Sequence, residues 1–117
     1  MLEDRAKELG RLIGQSGEYQ AVKRAGAGVE ADAESRSALK RIAEIRQAAQ
    51  VLIERGERPT AEMEEQMDAL LQKLQSSPVY QTAIVANENF DKVMVRVNEW
   101  ILDGIQRGAA SSIITLG

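Results

Sequence analysis

Residues 38–75 read ALKRIAEIRQAAQVLIERGERPTAEMEEQMDALLQKLQ, and this stretch decides the fold. Ala38, Ile42, Ile45, Ala49 and Leu52 are spaced 4, 3, 4, 3, the seam of a helix that packs along a neighbour. Leu39 and Ile53 flank that seam. Met63, Met67, Leu70 and Leu74 repeat the 4, 3, 4 spacing. Between the two seams lies Gly56-Glu57-Arg58-Pro59-Thr60. Gly56 suits a helix C-terminus, Pro59 blocks continuation, and Thr60 is an N-cap whose helix opens with Glu62 and Glu64 at its positive end. Two seams joined by a short turn predict an antiparallel hairpin from about Ala31 to Gln75. Its longer arm, ~22 residues, would reach ~33 Å.

The same periodicity extends outward in both directions. Leu2, Ala6, Leu9 and Ile13 form one stripe, widened by Leu12, until Gly14-Gln15-Ser16-Gly17 interrupts it. Ser16 is a candidate N-cap for a second helical region from about Gly17 to Arg55. Gly26 and Gly28 predict a bend or break within that region, since each costs about 1 kcal/mol relative to Ala in a helix. Ser77-Pro78 opens a further helix, with Ser as N-cap and Pro in the first turn. On it Val79, Ala83, Ala86, Phe90, Val93, Val97 and Trp100 share one face, with Met94, Ile101 and Ile105 beside it. Gly104 and Gly108 weaken its end. The expectation is an all-α chain: an antiparallel helical hairpin or bundle of about four helices, with a coiled-coil-like arm. A single domain over residues 1–108 would carry a C-terminal tail, 109–117, containing Ile113, Ile114 and Leu116.

Composition limits the chemistry. Among 117 residues there is no Cys and no His, so Ser-His and Cys-His nucleophile pairs and thiolate metal sites are absent. Ala accounts for 16 positions, and the aromatics are Tyr19, Tyr80, Phe90 and Trp100. A net charge of −3 offers no basic footprint for direct nucleic-acid binding or for a membrane surface. The charged start at Met1-Leu2-Glu3-Asp4-Arg5 and the lack of a ~20-residue apolar run predict neither signal peptide nor membrane span, hence a cytoplasmic location.

Each feature suggestive of a site has a plainer explanation. Gly26-Ala27-Gly28 lacks the third glycine and the preceding strand of a phosphate-binding fingerprint, and reads better as a kink or close helix contact. Glu62, Glu64, Glu65 and Asp68 could hold a metal, but helical di-metal sites use Glu-x-x-His pairs. Arg36, Lys40, Arg41 and Arg46 on the facing helix suggest ion pairs across the hairpin instead. The aromatics read as core or interface anchors rather than a ligand pocket, Trp100 above all. The tail could dock on a partner, tuck against the body or remain disordered. No catalytic residue, cofactor or metal is expected.

Taken in order, these features resemble the YlbF/YmcA, or control-of-competence, family of small helical bacterial proteins. The matching residues are Leu9-Gly10, then Ser16-Gly17-Glu18-Tyr19, with Lys23, Ala25 and Asp32 downstream. The seam from Leu39 to Ile53, the turn from Gly56 to Thr60, and Ser77-Pro78-Val79 with Ala86 and Phe90 complete the match, over about residues 2 to 106. The resemblance implies a helical-hairpin fold that associates into dimers or larger assemblies. It also implies a non-enzymatic regulatory role, in some members within a complex that modulates an endoribonuclease and so mRNA processing, competence, sporulation and biofilm formation. Cysteines tied to iron–sulfur clusters in certain complex-forming members have no counterpart here.

The resulting expectation is a regulatory adaptor that binds protein partners and forms a homo-oligomer, a dimer or higher. The alternative is a self-assembling structural oligomer with no other specific partner. Leu70, Leu71, Leu74, Phe90, Met94, Trp100 and Ile101 are the candidate residues of the oligomer or partner interface. Partner binding is expected to depend on the apolar residues around Trp100 or on the tail.

Overall fold

A computed structural model describes the backbone of residues 1–116 and the side chains of residues 1–110. Five helices follow one another: α1 (Leu2–Gly14), α2 (Gly17–Ala31), α3 (Ala33–Glu54), α4 (Ala61–Gln75) and α5 (Pro78–Leu116). No strand occurs among the described residues.

The caps lie where hydroxyl and carboxylate side chains precede helical periodicity. Ser16 accepts a hydrogen bond from the Tyr19 N–H at 3.2 Å, and Thr60 accepts one from Met63 at 3.1 Å. Ser77 does the same for Tyr80 at 3.3 Å, with Pro78 opening α5. Gly56 ends the α3 arm at φ +80°, a left-handed backbone that suits a residue without Cβ.

The break in the second helical region falls at Asp32, not at Gly26 or Gly28, and this corrects the expected bend. Both glycines lie inside α2, where the i→i−4 bonds hold despite their low propensity. Asp32 leaves the helical conformation (φ −88°, ψ 108°), and its carboxylate accepts from the Ser35 N–H at 3.2 Å. The expected four helices are therefore five. A capping side chain that offers the next helix a satisfied first turn outweighs two glycines that merely weaken the preceding one.

The helices form two tiers. In one, α2 lies antiparallel on the first half of α5: Tyr19 meets Phe90 with ring centroids 5.3 Å apart, and Gly28 approaches Val79. This contact is the most extensive in the molecule. Ala83, Ala86 and Val97 are buried on the face of α5 that carries the sequence stripe. In the other tier, α3 and α4 form the hairpin. Ala38, Ile42 and Leu74 are its buried centre, with Leu39, Met67, Leu70 and Tyr80 packed around them.

The tiers meet at a waist where two chain breaks lie side by side. Ser35, 2% exposed, donates its hydroxyl to Asp32, and its oxygen lies 3.4 Å from that of Ser77. The N-caps of α3 and α5 thus share one small polar cluster, which satisfies the buried hydroxyl.

The molecule is long and thin, 67 × 38 × 20 Å, with a radius of gyration of 21.3 Å. A compact chain of this length would have about 13 Å. Its accessible surface is 9144 Å², against about 6,300 Å² for a compact folded monomer of this mass.

Candidate interaction surface

Exposed apolar area collects at the end of the molecule away from the hairpin. The core stripe of α5 is buried or half-buried at Phe90, Val93, Met94 and Val97, where α2 supplies a neighbour. It does not stop there. Trp100, Ile101 and Ile105 continue it at helical spacing, yet every residue from Asn98 to Ala110 is exposed. Trp100 is 66% exposed and Ile105 60%. The bulky apolar residues from Trp100 to Ile105 thus face water over less than two turns of helix.

The N-terminal helix is in the same state. No residue of α1 is buried; Leu2 is 86% exposed, and Leu9 and Ile13 are half-buried. Its neighbour is α2, reached across the Gln15–Ser16 turn, where Ser16 also donates its hydroxyl to the Ile13 carbonyl at 2.6 Å. The ion pairs on α1, Lys7–Glu3 at 2.7 Å and Arg5–Glu8 at 3.5 Å, lie within the helix. Exposed local pairs of this kind contribute little stability and leave the apolar stripe unmasked.

The candidate interface residues do not form one patch. Leu74 is 2% exposed and sits in the centre of the hairpin, with Leu70 packed beside it. Leu71 opens to solvent on the other side of α4. Phe90 is half-buried against Tyr19, and Met94 is half-buried one turn further along. Trp100 and Ile101 stand together on the exposed end of α5. Leu2 of α1 and Ile105 of α5 join this exposed set; their signal in the sequence was the continued stripe, which does not say by itself where a neighbour ends.

Two open grooves lie elsewhere. One of about 370 Å³ runs between α2 and α5 along Ala21, Ala25, Gly28, Val79 and Ala86, with Arg24 at its edge. The other, about 240 Å³, lies near the hairpin tip between Ile45, Ala49, Pro59, Met63 and Met67. Both are lined mainly by apolar side chains, with Arg24 and Thr82 on the first and Glu64 and Asp68 on the second.

The expected ion pairs across the hairpin are not formed among the described residues. Arg41 pairs along its own helix with Glu44 at 3.2 Å and reaches across only to the Gln66 side-chain oxygen at 3.0 Å. The four acidic residues of α4 point to water, where hydration competes with pairing. No group of three acidic side chains among the described residues is arranged to hold a metal ion. No described helix is long and apolar enough to cross a membrane. The tail residues Ile113, Ile114 and Leu116 lie outside the described side chains, although the backbone of α5 is helical through Leu116.

A family model described as "Control of competence regulator ComK, YlbF/YmcA" matches residues 2–106. A UPF0342 protein of Streptococcus gordonii is 25% identical over 103 residues, 88% of this chain and 92% of its own length. A UPF0342 protein of Streptococcus mutans serotype c is 32% identical over 85 residues, 73% of this chain and 75% of its own length.

Proposed function

The chain belongs to the YlbF/YmcA control-of-competence family, and on that premise we propose that it is a non-enzymatic regulatory adaptor of the cytoplasm. It presents apolar helix faces to a protein partner, linked through the family to competence control and to RNA processing. The observation that carries this reading is the exposed end of α5, where Trp100, Ile101 and Ile105 continue a core stripe into solvent. Bulky anchors of this type supply most of the energy of protein interfaces. A net charge of −3 favours a protein over a nucleic acid as the direct partner.

An affinity pull-down from the native host tests the reading. A stoichiometric protein other than the chain itself should be recovered, and its recovery should fall with Trp100→Ala. Recovery of the chain alone would move the assignment to a self-assembling structural oligomer. That second reading is favoured by one observation, the surface area, which exceeds that of a compact monomer.

A further inference from the structure

We propose that the groove near the hairpin tip is a docking site for a basic amphipathic helix of a protein partner. An apolar side chain of that helix seats between α3 and α4, and its Lys and Arg side chains meet Glu64 and Asp68. The inference rests on the adaptor reading and gives it a second surface, in the other tier from Trp100.

The groove starts from one small residue. Along the α3 seam Ile42, Ile45 and Leu52 are bulky, but Ala49 places only a methyl group at its position. The turn and the first half of α4 supply the facing wall with Pro59, Met63 and Met67, all half-buried. The gap they leave is about 240 Å³ and open to solvent. An apolar cavity of about 150 Å³ holds a benzene ring, so this gap takes one large side chain or two small ones. Small-molecule pockets are larger, about 300–1,000 Å³. Methionine is unbranched and polarizable, and two such walls adapt to the side chain that enters.

Charge selects the occupant. Glu64 and Asp68 lie one turn apart on α4, both exposed and both on the rim of the groove. No ion pair among the described residues uses Glu62, Glu64, Glu65 or Asp68. Arg41, the α3 cation that reaches towards α4, is held by Glu44 and Gln66. The helix dipole accounts for Glu62 and Glu64 in the first turn of α4. It does not account for Asp68, a poor helix former placed beyond that turn. Between Glu54 and Asp68 the chain carries six acidic residues and two basic ones, Arg55 and Arg58. That net of −4 exceeds the −3 of the whole chain, so the excess negative charge sits at the hairpin tip.

An apolar floor with an acidic rim fits the opposite pattern, an apolar stripe flanked by cations on a helix laid into a groove. The apolar contact supplies most of the affinity, and the exposed charges select the sign of the partner. An acidic segment or a nucleic acid would bring like charges together. A second copy of this chain lacks the pattern in its α1, which carries three acidic and three basic residues.

The test uses the purified full-length chain and a synthetic peptide of ~14 residues, ~21 Å as a helix, with Leu at helical spacing and Lys elsewhere. Fluorescence anisotropy of the labelled peptide should report binding, at least ~10-fold tighter than that of a peptide with Glu in place of Lys. Ala49→Leu fills the groove and leaves the charge alone; binding should be lost while the thermal melt holds or rises. Glu64→Gln combined with Asp68→Asn should weaken binding about 3- to 10-fold, and added salt should do the same to the unmodified chain. Glu88→Gln combined with Glu99→Gln removes equal charge from α5 and should leave the affinity unchanged. Trp100 is the only tryptophan, and its emission should not move when unlabelled peptide is added. Binding that survives Ala49→Leu, an equal loss in the α5 pair, equal affinity for the Glu peptide, or a shift of Trp100 emission would each overturn the proposal. A peptide of residues 1–14 that binds as tightly would assign the groove to a second copy and overturn it as well. These outcomes are separable from those of the pull-down. Failure of the Lys peptide to bind, with a different protein recovered from the host, sinks this inference and leaves the adaptor standing. Selective binding of the peptide, with the chain alone recovered, supports the groove and removes the adaptor.

Discussion

At the residue scale, the positions that matter most for folding carry no chemistry of their own. Leu74 is 2% exposed at the point where α3 and α4 close on each other. Leu74→Ala should cost about 2–5 kcal/mol, because the hairpin is only two helices thick and a cavity there has few neighbours to fill it. Urea denaturation followed by circular dichroism measures the loss, and a change under 1 kcal/mol would show that the tier can close over the gap. Asp32 acts differently, since it is solvated on one side and caps α3 on the other. Asp32→Ala removes the acceptor of the Ser35 N–H and of the buried Ser35 hydroxyl, and should cost about 1–2 kcal/mol. Asp32→Asn, which retains an acceptor, should recover most of it. Equal loss in both variants would mean that the charge at the α3 N-terminus, rather than the hydrogen bonds, sets the effect.

At the element scale, α2 carries two interior glycines, Gly26 and Gly28, each costing about 1 kcal/mol relative to Ala. Gly26 is exposed, and a Cβ added there would meet nothing within 4 Å. Gly26→Ala should therefore stabilise the chain by about 0.5–1 kcal/mol, through the helix alone. Gly56 is the counter-case. At φ +80° a side chain is strained whatever the available space, so Gly56→Ala should destabilise by about 1–2 kcal/mol. The pair of opposite signs, read by thermal melts in the same buffer, separates a glycine tolerated by its helix from one required by its turn. If both substitutions shift the melt in the same direction, the αL assignment of the turn is wrong.

At the scale of the whole molecule, the buried apolar residues and the exposed apolar end of α5 lie in different parts of the chain. The buried residues end at Val97, and nothing among the described residues covers α5 beyond it. Removing residues 102–117 should therefore change the unfolding free energy of the single chain by less than about 1 kcal/mol, as expected for surface changes away from a core. The same truncation removes Ile105 and should lower recovery of a protein partner in the pull-down. Loss of cooperative unfolding in the truncated chain would show that the distal helix belongs to the core rather than to an interface.

Helix boundaries were legible in the residues themselves. Ser16, Thr60 and Ser77 could be read as caps, Gly56 as a C-terminus and Pro59 as a stop, because each signal acts through backbone groups within four residues. The hairpin seam was legible for a similar reason: a 4, 3 spacing places its side chains on one face whatever lies opposite. The division at Asp32 was hidden, although Asp is a good cap. Two glycines nearby offered a stronger local signal, and only the meeting of the Asp32, Ser35 and Ser77 side chains favours one site over the other. Burial was hidden more deeply. Leu74 and Trp100 both lie on apolar stripes of good periodicity, yet one is enclosed and the other faces water. Periodicity records which face of a helix is apolar. How far along that face a neighbour extends depends on where α1 turns away and α2 begins, which is a property of the packed chain and of no single segment.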